Sequence, residues 1–168
     1  VSVQAFSALD VATQSLVANH VGSGDARSAR QVLARALVVA VAVGGGVGVA
    51  LALAAKSLPG AFTRDPAVAA AAAAVIPLIA SFMPVDAAAA VLDGGLLGAS
   101  DTAWVARSTL FVSGVCLAAL LGARSAGAGL FGVWAALKTL STGRTVAAAL
   151  RFSQADGPLG TERARLQK

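Results

Sequence analysis

Apolar residues in this chain fall into long uninterrupted blocks divided by short polar breaks. The clearest block, 36–55, runs twenty residues without a charge. Blocks of roughly 20 residues match the ~30 Å hydrocarbon core of a bilayer. The pattern predicts an all-α, polytopic transmembrane helix bundle of about five spans, at 1–21, 32–55, 66–98, 102–122 and 129–151, followed by a polar tail at 153–168 that is mobile at its end. The first block carries Gln4, Asp10, Gln14, Asn19 and His20. It is therefore expected to turn a polar stripe toward protein or water, because lipid leaves such groups unsatisfied. Asp65 before Pro66 reads as an N-cap with proline at the first helical position. The 33 residues of 66–98 would measure ~50 Å as one helix, and Pro77 and Pro84 are expected to kink or break it. Asp101 and Thr102 are expected to cap the fourth span. "GGGVG" at 44–48 predicts a close helix–helix approach, as small residues do in membranes.

Composition agrees with a lipid-embedded chain. Of the 168 residues 57% are hydrophobic and 12% charged, with a mean hydropathy of +0.79; soluble domains carry about 25% charged residues. The net charge of +5 does not indicate nucleic-acid binding, because basic residues never cluster with exposed aromatics. It reports orientation instead. The 22–35 junction, the 98–107 junction and the tail hold Arg27, Arg30, Arg35, Arg107, Arg151, Arg163, Arg165 and Lys168; the opposite side holds Lys56, Arg64 and Arg124. The basic excess places the first group on the cytoplasmic or stromal-type side. The chain opens with Val1 and its one methionine is Met83, so it reads as a piece of a longer protein whose targeting signal lies upstream; no basic-then-apolar leader pattern is visible. Lone Cys116 supports neither disulfides nor thiolate metal sites. "VANHVGSGDARSAR" and "LDGGLLGASDTAWVARS" share a helix end, a small-residue turn, an aspartate and a basic helix start, through duplication or through similar cap chemistry.

The carboxylates carry the candidate chemistry. A charged side chain at mid-span costs about 2.5–3.5 kcal/mol on insertion scales, so Asp93, inside an otherwise uncharged run, calls for a reason. A desolvated carboxylate exchanges a proton near neutral pH and also accepts a cation; competition between the two couples fluxes in a secondary antiporter. The alternative is a structural pair with Lys138 or Arg144. Asp86 lies seven residues earlier, on nearly the same helical face, and either joins that site or satisfies backbone groups freed at Pro84. Asp10 and Gln14, four apart, share a face and are expected to line a cavity with Ser7 and Asn19. His20 is read as interfacial. "GSGD" at 22–25 matches the Gly-x-Gly-Asp pattern of intramembrane aspartyl proteases, but Asp25 falls in a loop beside Arg27 and Arg30, against an enzyme.

Several stretches resemble the C-terminal lobe of multidrug and toxic compound extrusion (MATE) transporters. "ATQSLVANHVGSGDARSARQVLARAL" resembles the family's eighth helix and following loop, and "LPGAFTRDPAV" the loop before the tenth. "PLIASFMPVDAAAAVLDGGLLGASDTAWVARS" resembles the tenth helix and its exit, and "GLFGVWAALKTLSTGRTVAAALRF" the twelfth. The similarity is greatest to the plant and algal plastid-type, DETOXIFICATION-like branch. It implies helices 8–12 of a twelve-helix, two-lobed exporter that exchanges organic compounds or xenobiotics for protons or sodium, with no other cofactor. The implied partners are the bilayer, a small organic substrate and the missing N-terminal lobe; the implied location is the plastid envelope, otherwise the plasma or vacuolar membrane. Asp93 matches the family's tenth-helix aspartate and Arg144 a recurrent arginine. Asp86 stands where the branch has asparagine, Lys138 replaces an uncharged residue, and Ser7 lies nearer than Asp10 to the family's acidic position. The expected function is a MATE-type antiporter with Asp93, Asp86 and Asp10 as cation or proton site. The alternative is a truncated, non-transporting membrane module or assembly partner.

Overall fold

The structure, a computed structural model, describes residues 2–154 and 157–159; the side chain of Gln4 and the end of the tail lie outside the described residues. It is all-helical, with α1 (Ser2–Gly22), α2 (Ala26–Ala54), a short α3 (Leu58–Phe62), α4 (Pro66–Gly98), α5 (Thr102–Ser125) and α6 (Gly129–Ser153). Three of these, α2, α4 and α5, are long and apolar enough to cross a membrane. Helices α1 and α6 have the length but carry more polar residues. The protein is an integral membrane protein.

Helix α4 is the hub. It packs on α2, α1 and α6, while α5 is joined mainly to α6. Asp65 starts it as the sequence predicts, its Oδ1 accepting from the amides of Ala67 (2.8 Å) and Val68 (3.4 Å). Of the expected kink or break, the break is absent: α4 runs as one helix through Pro77 and Pro84. A proline removes the hydrogen bond to the carbonyl four residues back, so Pro84 frees the carbonyl of Ala80. Helix α2 covers that position. A Cβ on Gly48 would lie 2.5 Å from the Ala80 oxygen, and one on Gly44 would lie 2.6 Å from the Met83 oxygen and 2.9 Å from the Pro84 Cα. The two glycines, four apart, let the α2 backbone nest against the proline-modified turn. Tertiary contact thus holds the helix through a residue that breaks isolated ones.

On its other side α4 repeats the device. Gly94 lies against the backbone and Oδ1 of Asp10, and a Cβ on Gly98 would lie 2.5 Å from the Gln14 oxygen. These contacts run in step along α1 and α4, so the two helices are parallel. Because the obstacle at Gly48 is backbone, it cannot rotate away. Gly48→Ala is expected to cost about 1–3 kcal/mol, the range for overpacked sites, whereas Gly46→Ala, which meets nothing within 4 Å, is expected to be neutral. Thermal unfolding of the two variants in detergent compares them directly.

The junctions explain the internal echo. After α1, Asp25 N–H donates to the His20 oxygen (2.9 Å) and Gly24 N–H to the Val21 oxygen (3.0 Å). After α4, Asp101 N–H donates to Leu96 (2.9 Å) and Ser100 N–H to Leu97 (3.0 Å). The same pair of bonds follows α5, from Ala128 to Ala123 and Gly127 to Arg124, without an aspartate. This is the Schellman termination, which needs one left-handed residue; Gly24 (φ 76°), Ser100 (φ 60°) and Gly127 (φ 64°) supply it. The shared pattern is cap chemistry. At the start of the tail Gly157, Pro158 and Leu159 are buried, and Leu159 joins the core cluster of Ala29 and Leu33; the expected mobility concerns the end of the tail, outside the described residues.

Candidate functional site

Helices α1, α4 and α6 enclose an open cleft of about 430 Å³. Its walls include Phe6, Met83, Trp134, Leu137 and Leu140, and its polar groups are Ser7, Asp10, Asp86, Asp93, Lys138, Ser141 and Arg144. Five ionisable side chains converge here in a chain with few charges. The structure thus brings together Asp10, Asp86, Asp93 and Ser7.

Two other expected lining residues are corrected. Gln14 and Asn19 are not in the cleft wall. Asn19 is nine residues beyond Asp10, half a turn round at 100° per residue, and is exposed. Gln14 shares the Asp10 face but lies one turn on, where its carbonyl is pressed against Gly98, outside the cleft wall.

The ionisable groups form a ladder. Asp86 Oδ2 accepts from Lys138 Nζ at 2.5 Å, Asp93 Oδ2 from Arg144 Nη2, and Asp101 Oδ2 from Arg151 Nε at 2.7 Å. The acids are spaced seven and eight along α4 and its cap, the bases six and seven along α6. Matching repeats on two parallel helices stack the pairs about two turns apart. Asp86 and Asp93 are on α4, Asp101 is at the α4–α5 junction and every base is on α6, so the ladder ties α6 to α4 and to the start of α5. Two expectations change accordingly. Asp101 occupies the N-cap of α5 without a side-chain capping bond, because its carboxylate is committed to Arg151, whose guanidinium also stacks on Trp104 (5.1 Å). Asp86 satisfies no backbone group; it holds Lys138. Counting the ~1.5 Å rise per residue from Gly98, Asp86 sits ~18 Å from the end of α4 and Asp93 only ~8 Å, so Asp86 is the deeper acid.

The rungs differ in access. Lys138 and Asp86 side chains are 10% and 17% exposed, while Arg144 is 38% exposed against 11% for its partner Asp93. The Asp93–Arg144 pair therefore meets the cleft opening on its guanidinium side. Asp10 is the odd charge: three carboxylates face two cations in the cleft, and Asp10 Oδ1, buried, makes no hydrogen bond within the protein. Gly94 explains how it comes so near Asp93, since any side chain there would collide with Asp10. The sequence left Asp93 between coupling and pairing; the structure pairs it with Arg144 and sets a second acid beside the pair. The Asp86–Lys138 and Asp101–Arg151 rungs were missed, although the matched spacings were a usable signal.

Outside the spans, Asp25 caps α2, its Oδ1 accepting from Ser28 N at 3.0 Å. Hydrogen bonding from Ser28 holds its carboxyl below the usual carboxylate range. It is exposed and remote from Asp10 in the chain, so it offers no aspartyl dyad. Cys116 is buried, its Sγ near the Ala136 oxygen. Among the described residues no group of three or more His, Cys, Asp or Glu is placed to hold a metal ion.

Residues 2–121 match the family model described as MatE. Among curated proteins of Arabidopsis thaliana, Protein DETOXIFICATION 43 is 36% identical over 99 residues, covering 59% of this chain and 19% of that protein. Protein DETOXIFICATION 44, chloroplastic, is 34% identical over 151 residues, 90% of this chain and 29% of that protein. Protein DETOXIFICATION 45, chloroplastic, is 31% identical over 151 residues, 90% of this chain and 27% of that protein. The chain thus spans less than a third of the length of these relatives. No solved structure matches.

Proposed function

The chain belongs to the MatE family, and on that footing we propose that it is part of a secondary transporter exporting organic compounds in exchange for protons or sodium. The observation that carries the reading is the unpaired Asp10 beside the Asp93–Arg144 pair, in a cleft walled by apolar and aromatic residues. A carboxylate pair sharing one guanidinium has one negative charge to spare. A proton or a sodium ion neutralises it, and a change in that occupancy alters how tightly α1, α4 and α6 hold together. Trp134, Phe6 and Met83 give the cargo an apolar surface. Asp86, paired with Lys138, serves as a fixed rung in this scheme.

Export is a property we assign to the whole transporter, because the chain spans under a third of the curated relatives. The chloroplastic designation of two relatives supports a plastid envelope location. To test the reading, the full-length parent is reconstituted in proteoliposomes with an imposed pH or sodium gradient and a panel of labelled organic compounds. Flux of at least one compound is expected to follow one of the gradients. Flux that ignores both gradients overturns it.

A further inference from the structure

Beyond the cleft, a second hollow of about 320 Å³ lies between α5 and α6. Its walls are Trp104, Phe111, Ala147 and Leu150, with Arg107 and Ser108 at the end near the α4–α5 junction. We propose that this groove seats an anionic membrane lipid, its phosphate-bearing headgroup on Arg107 and an acyl chain along Phe111.

Three observations converge on that occupant. Arg107 lines the groove yet makes no ion pair or hydrogen bond among the described residues. The neighbouring cation, Arg151, is by contrast neutralised by Asp101, so Arg107 leaves an uncompensated positive charge at the mouth. Second, the groove's outer edge is apolar and exposed: Leu110 and Phe111 are 75% and 73% exposed, and Val115, one turn beyond Phe111, continues the apolar strip. Third, the depth fits. Arg107 is five residues into α5, ~8 Å along its axis, and its stem reaches back toward the interface as long basic side chains do. Trp104 marks the same level, where indoles gather, with its Nε1 donating to the Ala147 oxygen across the groove (3.3 Å). That bond pins one wall to the other and keeps the hollow formed. Basic pockets between helices on the positively charged side are where acidic headgroups bind, and this junction is on the basic side of the chain. A zwitterionic lipid brings a cation of its own and gains less from Arg107.

The test uses the purified protein in mixed micelles, with lipid retention counted by native mass spectrometry. Phosphatidylglycerol is expected to be retained over phosphatidylcholine, and Arg107→Gln to weaken its binding about fivefold, the worth of one basic residue near the surface. Arg107→Lys is expected to keep the preference, and Arg124→Gln, at the opposite junction, to leave binding unchanged. Phe111→Ser, which spares the charge but removes the apolar wall, is expected to weaken retention as well. Equal retention of the two lipids, undiminished binding in Arg107→Gln or Phe111→Ser, or full competition by soluble glycerol 3-phosphate overturns the proposal.

Discussion

Lys138→Ala is expected to destabilise the bundle by about 3–5 kcal/mol, the cost of removing one partner from a buried ion pair. The residue accepts no role in the chain's surface chemistry; it is buried at 8% exposure and its ammonium lies 2.5 Å from Asp86. Without it Asp86 keeps a carboxylate ~18 Å from the helix end, with Oδ1 already lacking a hydrogen bond within the protein. The chain then either holds an uncompensated charge among apolar side chains or takes up a proton. Replacing both members is different, because no orphan charge remains. Asp86→Ala/Lys138→Ala is therefore expected to recover most of the loss, leaving a cavity term and the contact of Lys138 with the Phe82 ring (5.9 Å). Thermal unfolding of the two single variants and the double variant in one detergent measures the coupling. A double variant no more stable than Lys138→Ala would mean that the rung does not tie α6 to α4.

Asp93→Asn in the full-length parent is expected to reduce gradient-driven export to the level of protein-free vesicles, with little change in stability. Asparagine keeps the size of the side chain and cannot lose a proton or hold a cation by charge. Stability is expected to survive because Arg144, left without its carboxylate, is more than a third exposed and can be hydrated; pairs with such access contribute about 0–1 kcal/mol. This contrast with the Lys138 rung separates coupling from structural pairing. If Asp93 served only to anchor Arg144, Asp93→Asn/Arg144→Gln would restore export along with the pairing balance. The double variant is instead expected to fold and remain silent. Gradient-driven export persisting in Asp93→Asn removes the carboxylate from the mechanism.

The two rungs also show where the reading of the residues stopped. Helix existence was legible because each span is long and lipid imposes a continuous hydrogen-bonded backbone. The cap at Asp65 was legible because it depends on neighbours two and three positions away. That α4 is not broken at Pro84 was not legible, since a proline states only what the local backbone loses and not that Gly44 and Gly48 of another helix cover the place. Gln14 and Asn19 misled: polarity was read as lining a cavity, while the phase of α1 turns Asn19 outward and Gln14 lies one turn beyond the cleft wall, at the Gly98 contact. Asp93 was identified from its isolation in an apolar run. Its partner remained open between Lys138 and Arg144, residues equally available on one helix.

What the sequence determined by itself was what depends on local order: a helical membrane chain, the turns between its helices, the cap at Asp65, and the presence of acids that lipid alone does not tolerate. Which acid meets which base was decided only by the tertiary structure. A helix's rotation and depth relative to its neighbour follow from contacts with other helices, the glycine contacts among them, and a shift of one residue turns a side chain through about 100°. The pairing of Asp86 with Lys138, the commitment of Asp101 to Arg151 and the isolation of Asp10 all arise from that packing.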